Sequence, residues 1–287
     1  VKPCHYQNYI LNEQGEPQAR DKVKISIERL QHFEPPEGYY LAFSGGKDSQ
    51  CIYHLAMEAG VKFEAHYHIT TVDPPELVWF IRDNYPDVIM DKPEITMWDL
   101  IVKKGMPPTM NQRYCCAALK EVRGKGRICV TGVRWAESAR RKKNRKVLEI
   151  MTSKAKDKML FEDNDSDRRL FETCIKQGKR IINPIVDWEN ADVWEFIRNR
   201  KLKYCVLYDN GSRRIGCIGC PMNSRAGAEL EAYPKYKAAY LRAFQRMIDK
   251  HRYAEMSDNW KTPEDVMAWW LKKGKKSSVM AGQVQLT

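Results

Sequence analysis

The chain has 287 residues, 43% of them hydrophobic and 30% charged, and carries a formal net charge of +12. That length supports one large domain, or a domain with an appendage, that needs no disulfide staples, and no uninterrupted apolar run is long enough to cross a membrane. The surplus of Lys and Arg draws the chain toward anionic partners: nucleic acid, nucleotides or acidic surfaces.

Residues 38–43, Gly-Tyr-Tyr-Leu-Ala-Phe, form a short apolar and aromatic run that ends at Ser-Gly-Gly and reads as a buried strand. Residues 49–59 place Cys51, Ile52, Leu55, Ala56 and Ala59 at helical spacing, with Gly60 as the stop. A second strand is expected over 63–70, a helix over 74–85, a third strand over 88–90, a helix over 97–104 and a fourth strand over 127–132. This alternation predicts an α/β fold: a mainly parallel twisted sheet with helices on both faces. Residues 151–180 break the pattern and read as a mobile insertion or lid. Order resumes at 181–185, and residues 192–200 carry Val193, Trp194, Phe196 and Ile197 on one helical face. Residues 229–251 read as one long basic helix, and Thr262-Pro263 opens a last one. Three parts are expected: an N-terminal extension (1–37), a nucleotide-binding domain (38–225) and a helical basic C-terminal appendage (226–287).

The loop Ser44-Gly45-Gly46-Lys47-Asp48-Ser49 is the first chemical signal. Two glycines let the backbone curl and approach an anion closely, and the helix that follows aims its free N–H groups and its dipole at that anion. Ser44 and Ser49 add hydroxyls, Lys47 a charge, and Asp48 an oxygen suited to Mg²⁺. The spacing is not that of the Walker loop. It resembles the PP-loop of ATP pyrophosphatases, which split ATP between the α- and β-phosphates. Asp73 follows the second strand, at the sheet edge where open α/β sheets bind ligands, or it caps the helix at Pro74; the sequence supports both readings equally. His66 and His68 alternate on a strand and read as structural rather than as ligands, with His68 also a candidate neighbour of adenine. Trp188 and Trp194 read as core. Two basic runs, 140–146 and 272–276, read as nucleic-acid contacts or as solvated faces.

Nine cysteines and no charged-then-apolar leader in residues 1–10 lead to an expectation of a reduced, cytoplasmic protein. Cys115-Cys116 and Cys217-Ile218-Gly219-Cys220 are the second signal. Four thiolates can hold zinc or an iron–sulfur cluster, and they can equally be buried helix residues and a dithiol.

Several segments together resemble the phosphoadenosine phosphosulfate (PAPS) reductase family of the PP-loop ATP pyrophosphatase superfamily. Residues 113–120, Arg-Tyr-Cys-Cys-Ala-Ala-Leu-Lys, are similar to its Cys-Cys-x-x-x-Lys segment. Residues 132–138 are similar to its Gly-hydrophobic-Arg-x-x-Glu-Ser segment, residues 183–194 to its Pro-Ile-x-x-Trp and Asp-Val-Trp segment, and residues 207–217 continue the match. The resemblance implies an adenine nucleotide alpha hydrolase-like fold. With residues 44–49 and Asp73 read as above, it implies nucleotide contacts at Gly132, Arg134 and Glu137, with Lys47, Asp48 and Arg134 catalytic; Arg134 would neutralise a phosphate rather than form a surface salt bridge, and Glu137 would orient Arg134 or cap a helix. It also implies a [4Fe–4S] cluster on Cys115, Cys116, Cys217 and Cys220. Lys120 and Arg113 would offset cluster charge, and Arg213 and Arg214 would do likewise or touch substrate.

One departure matters. The reductases carry a nucleophilic cysteine in a Glu-Cys-Gly-x-His tail, and no cysteine follows Cys220 here. Cys4, Cys51, Cys129, Cys174 and Cys205 stand in other contexts. The expected type is therefore an ATP-using relative, similar to the ATP pyrophosphatases of DNA phosphorothioation. ATP and Mg²⁺ would adenylylate an acceptor in DNA or RNA, and sulfur from a donor protein such as a cysteine desulfurase would displace AMP. Two alternatives remain: a PAPS or APS reductase with a non-standard nucleophile, and a non-catalytic nucleotide- and cluster-binding subunit.

Overall fold

A computed structural model of the chain describes residues 9–11, 17–19, 21–120, 124, 126–151, 159–161, 179–251 and 260–272. They divide between two compact units that interleave along the chain. One comprises Val1–His68, Glu76–Asp91 and Arg123–Ile215, the other Ile69–Pro75, Lys92–Val122 and Gly216–Thr287.

The first unit is the sheet. A small antiparallel ribbon, β1 (Tyr9–Leu11) and β2 (Pro17–Ala19), precedes helix α1 (Lys22–His32). The main strands are β3 (Tyr39–Ala42), β4 (Phe63–His68), β5 (Ile89–Asp91), β6 (Ile128–Val130), β7 (Leu148–Met151), β8 (Met159–Phe161) and β9 (Lys179–Ile182). They lie in the order β5-β4-β3-β6-β9-β7-β8. The pairs from β5 to β9 are parallel, while β7 runs antiparallel to both β9 and β8. The chain builds outward from β3 to β5 on one side, then returns to place β6 on the other side of β3. That reversal is the switch point at which open α/β sheets form a crevice beyond their strand ends. The expected mainly parallel sheet with helices is the fold.

Local chemistry explains the elements. Tyr39 and Leu41 are fully buried on one face of β3, and the Tyr39 hydroxyl donates to the Leu30 carbonyl of α1 at 2.7 Å. Helix α2 (Lys47–Ala59) packs between α1 and α7 (Asn190–Asn199). The opposite face carries Tyr40, Cys129 and Ile181. There His66 stacks on Tyr40 and bonds Asp91 at 2.9 Å, and His68 bonds the Tyr40 hydroxyl at 2.6 Å. Helix α6 (Ala139–Asn144) is capped by Ser138, whose hydroxyl accepts from the Arg141 N–H.

The second unit is helical. It contains α4 (Met97–Lys104), α5 (Tyr114–Leu119), α8 (Ala226–Ala232), α9 (Pro234–Lys250) and α10 (Pro263–Leu271). Leu100, Ile101, Ile218, Tyr240, Phe244 and Trp270 are buried together in its core, so segments distant in sequence close around one apolar centre. Helix α3 (Pro75–Asn84) falls almost wholly in the first unit.

The structure departs from the sequence expectations in three places. The single helix over 229–251 is two, because Pro234 begins α9 and holds Tyr233 out of helical geometry at φ −119° and ψ 68°. Within 151–180, Met159–Phe161 is a strand paired to β7 and Lys179–Ile182 is a strand paired to β7 and β6, so that stretch supplies sheet edge as well as connection. The remainder, 152–158 and 162–178, lies outside the described residues, as do Cys4, Cys174 and 273–276 of the second basic run. Residues 69–70, expected to finish β4, belong instead to the second unit.

Arg29 of α1 is 2% exposed and donates to the Pro184 carbonyl at 2.8 Å and to both oxygens of Asp187 at 3.0 and 3.2 Å. Removing one partner of such a pair strands the other charge. Arg29→Ala should therefore cost about 3–5 kcal/mol in urea unfolding, with Arg29→Ala/Asp187→Ala recovering part of the loss. A loss below about 1 kcal/mol would show that the pair behaves like a surface bridge.

Candidate functional site

The loop at residues 44–49 leaves β3 and enters α2. Gly45 takes φ +69°, and a Cβ there would come within 2.7 Å of Leu77 and Ile81, so this position needs glycine twice over. Gly46 is the N-cap in extended geometry and offers no capping side chain. Ser49 donates to the Gly46 carbonyl at 2.8 Å, and Ser44 donates to Ser49 at 3.1 Å. Among the described residues no acceptor meets the N–H groups of Asp48 and Ser49. They stand at the positive end of a 13-residue helix, the arrangement that receives an anion.

Both donors of Lys47 are engaged by one neighbouring segment. Its backbone N–H donates to the Tyr208 hydroxyl at 2.8 Å, and its ammonium donates to the Arg213 carbonyl at 3.2 Å. Each acceptor is an oxygen, as the oxygens of a phosphate would be. Burial pushes the Tyr208 hydroxyl well above the usual phenol range, with the Asp48 carboxylate adding to the rise and the Lys47 N–H opposing it. The group is therefore neutral. A cleft of about 440 Å³ opens here, lined by Lys47, Asn190, Trp194, Tyr208, Arg213 and the backbone between them. Trp194 presents its ring to this cleft, edge-on to Tyr204 and Tyr208, rather than sitting in the core as Trp188 does. Tyr208 is the residue sequence reasoning missed; its tyrosine stood in a matched segment, but nothing local told that its hydroxyl would reach α2.

Arg134 comes from the end of β6, and Gly132 just before it packs directly against the first turn of α2, where a Cβ would lie 2.9 Å from the Asp48 carbonyl. The Arg134 side chain is turned inward. Its Nε donates to Asp48 at 2.6 Å, and its two terminal nitrogens donate to the Trp188 carbonyl at 3.2 Å and to Asn190 at 2.9 Å. Arg134 thus holds Asp48, and among the described residues Asp48 Oδ2 keeps a 3.5 Å contact to Lys47. Glu137 accepts from the Arg134 N–H at 3.0 Å and pairs with Arg141. Burial, then the neighbouring charges of Arg214 and Arg145, lower the Arg141 guanidinium to about 10. Cations crowd this end of the sheet.

The four motif cysteines and Asp73 all lie in the second unit. Both Asp73 oxygens accept from Thr70, through its N–H at 2.6 Å and its hydroxyl at 2.8 Å, and Thr70 in turn lies 3.4 Å from the Cys217 sulfur. Asp73 therefore braces the loop beside a cysteine. The Cys217–Cys220 turn is pinned by Glu229, which accepts from the Gly219 N–H, and by Tyr240, which donates to the Ile218 carbonyl. The Cys115 thiol donates to Cys116, which pulls Cys116 down and Cys115 up; Arg113, 3.3 Å from Cys116, adds to the first effect. Cys115 also feels the charges of Cys217 and Cys220. Packing opposes the charge on Lys120, but Cys217 and Asp73 outweigh it and raise its pKa. Among the described residues no group of three His, Cys, Asp or Glu side chains stands so as to hold a metal ion. Cys51, Cys129 and Cys205 are buried.

The sequence matches the phosphoadenosine phosphosulfate reductase domain family over residues 38–223. It is 26% identical over 212 residues to an uncharacterized protein of Methanocaldococcus jannaschii, covering 72% of this chain and 46% of that one. It is 25% identical over 160 residues to an adenosine 5'-phosphosulfate reductase of Oceanobacillus iheyensis, covering 53% of this chain and 59% of the other. The chain thus spans about half the length of these relatives. Among solved structures it is similar to the PAPS reductase from Candida auris in phosphate complex, with a TM-score of 0.45, 18% identity, and coverage of 67% of this chain and 87% of that one.

Tyr208→Phe keeps the ring and removes the oxygen from the Lys47 N–H. The freed donor should tighten binding of inorganic pyrophosphate about fivefold by calorimetric titration, the worth of one ordinary hydrogen bond. Weaker binding would show instead that the hydroxyl itself grips the anion.

Proposed function

The chain belongs to the phosphoadenosine phosphosulfate reductase domain family, and from that premise we propose that it is an ATP pyrophosphatase that adenylylates an acceptor for sulfur incorporation, the acceptor being nucleic acid. The observation that carries the reading is the loop itself. Free N–H groups at the start of α2 and two Lys47 donors, each resting on a neutral oxygen, make a receptor for a polyphosphate rather than for a single charge.

In the proposed reaction an acceptor oxygen attacks the α-phosphorus of ATP, the bond from that phosphorus to the bridging oxygen breaks, and pyrophosphate leaves. A sulfur nucleophile, delivered by a donor protein such as a cysteine desulfurase, then displaces AMP together with the acceptor oxygen. Lys47 and the α2 N-terminus stabilise charge on the departing pyrophosphate. Asp48 Oδ2, the oxygen that Arg134 leaves open, suits Mg²⁺, a hard cation that takes carboxylate and phosphate oxygens. Arg134 acts as a positioning residue for Asp48.

The donor chemistry of the second unit supports a [4Fe–4S] cluster as part of this reading, and Cys115, Cys116, Cys217 and Cys220 would hold it. Cys115, Cys116, Cys217 and Cys220 are four thiols within one another's electrostatic reach, with Lys120 and Arg113 beside them to offset thiolate charge. Such a cluster supplies electron storage when bound. Relatives that are adenosine 5'-phosphosulfate reductases favour a second reading, reduction of a sulfonucleotide.

Protein purified anaerobically separates the two. With ATP, Mg²⁺ and an oligonucleotide acceptor, pyrophosphate should appear, and Lys47→Ala should slow its release about 100-fold. Sulfite from PAPS or APS with a thiol reductant, and no pyrophosphate from ATP, would establish the reductase reading. A colourless preparation holding zinc would sink the cluster.

A further inference from the structure

We propose that helix α6, together with Arg213 and Arg214, is the docking surface for a nucleic-acid strand that reaches the cleft beside Lys47. The proposal rests on the adenylylation reading above and adds to it the face on which the acceptor lies.

The basic run of residues 140–146 sorts into two sets. Arg141 pairs with Glu137, Arg145 donates at 2.7 Å to Glu149, which is fully buried, and Lys146 lies over the Trp135 ring. These cations pin the helix. Arg140, Lys142 and Lys143 are exposed, and among the described residues no group pairs with them. The fold thus fixes α6 through its inward charges and leaves three outward charges uncompensated. Like charges held together cost stability, which an anion recovers.

α6 is tied to the start of α2 through Glu137, which pairs with Arg141 and accepts from the Arg134 N–H at 3.0 Å, while Arg134 bonds Asp48 next to Lys47. Arg213 lines the cleft with Lys47, and Arg214 follows it. The adenylylation reading places the polyphosphate on the loop and Lys47 and gives the cations of α6 no part in holding it. Aromatic rings choose between a nucleic acid and an acidic protein. Tyr204 is 38% exposed and meets Trp194 edge-on at the cleft, which suits stacking of unpaired bases. A groove of cations with aromatic faces is how single strands are held without sequence preference, and an acidic peptide has no use for the rings.

The test is fluorescence anisotropy of a labelled single-stranded DNA oligonucleotide with the full chain over a range of salt. Arg140→Ala/Lys142→Ala/Lys143→Ala should weaken binding about tenfold or more near physiological salt and reduce the salt slope by about 2, as loss of three phosphate contacts does. ATP binding without the oligonucleotide should not change. A control with equal charge loss on α9, Lys235→Ala/Arg242→Ala/Lys250→Ala, should bind as the unaltered chain does. Equal weakening by both triple variants, wild-type binding by the α6 variant, or binding of heparin but not of the oligonucleotide would overturn the proposal. α6-dependent oligonucleotide binding with no pyrophosphate release would uphold this surface while sinking the adenylylation reading.

Discussion

A guanidinium that is 1% exposed must find acceptors for the N–H groups it turns inward, and Arg134 finds them in three different parts of the chain. Its Nε meets Asp48 on the first turn of α2, and its terminal nitrogens meet the Trp188 carbonyl and Asn190. The end of β6, the start of α2 and the approach to α7 are thereby tied at one point. The tie propagates outward. Trp188 donates to Ser26 of α1, and Asp187 takes Arg29, so the helix ahead of the sheet stabilises the backbone that holds Arg134. Asp48 is thereby fixed through one oxygen, and its other oxygen is left beside the Lys47 ammonium at 3.5 Å.

The second unit solves a different problem. Its chemistry comes from residues far apart in sequence, which must be brought together without the regular ladder of a sheet. Buried aromatic residues do this. Tyr240 packs against Trp98 and Trp270 while its hydroxyl holds the Cys217–Cys220 turn, so one side chain serves both core and site. Thr70 and Asp73 also serve it, bracing the four residues 70–73 against Cys217.

Much of the first unit was legible because its signals are local. A buried strand, two glycines and a helix stop read directly as β3, the loop and α2. The parallel order followed from alternation of strand and helix. What escaped was tertiary. Nothing near Tyr208 announces that its hydroxyl will reach the Lys47 N–H, and nothing near Arg134 shows that it points inward to a carboxylate rather than outward to a ligand. The antiparallel edge formed by β7 and β8 was hidden by a polar stretch that looked like a break. Pro234 was an available signal, since proline at a first helical position separates helices as well as starting them. Likewise Ser138 before the basic run was a readable cap for α6.

The interleaving of the two units sets an order of events during synthesis. Cys115 and Cys116 leave the ribosome about a hundred residues before Cys217, roughly 5–20 s earlier at ordinary elongation rates. The segments that share their apolar core arrive last, because Ile218, Tyr240, Phe244 and Trp270 all follow. Through that interval the first thiol pair has no finished shelter and no second pair. A group held by all four sulfurs would thus be loaded late in the life of the nascent chain, after the helices that shelter the first pair have left the ribosome.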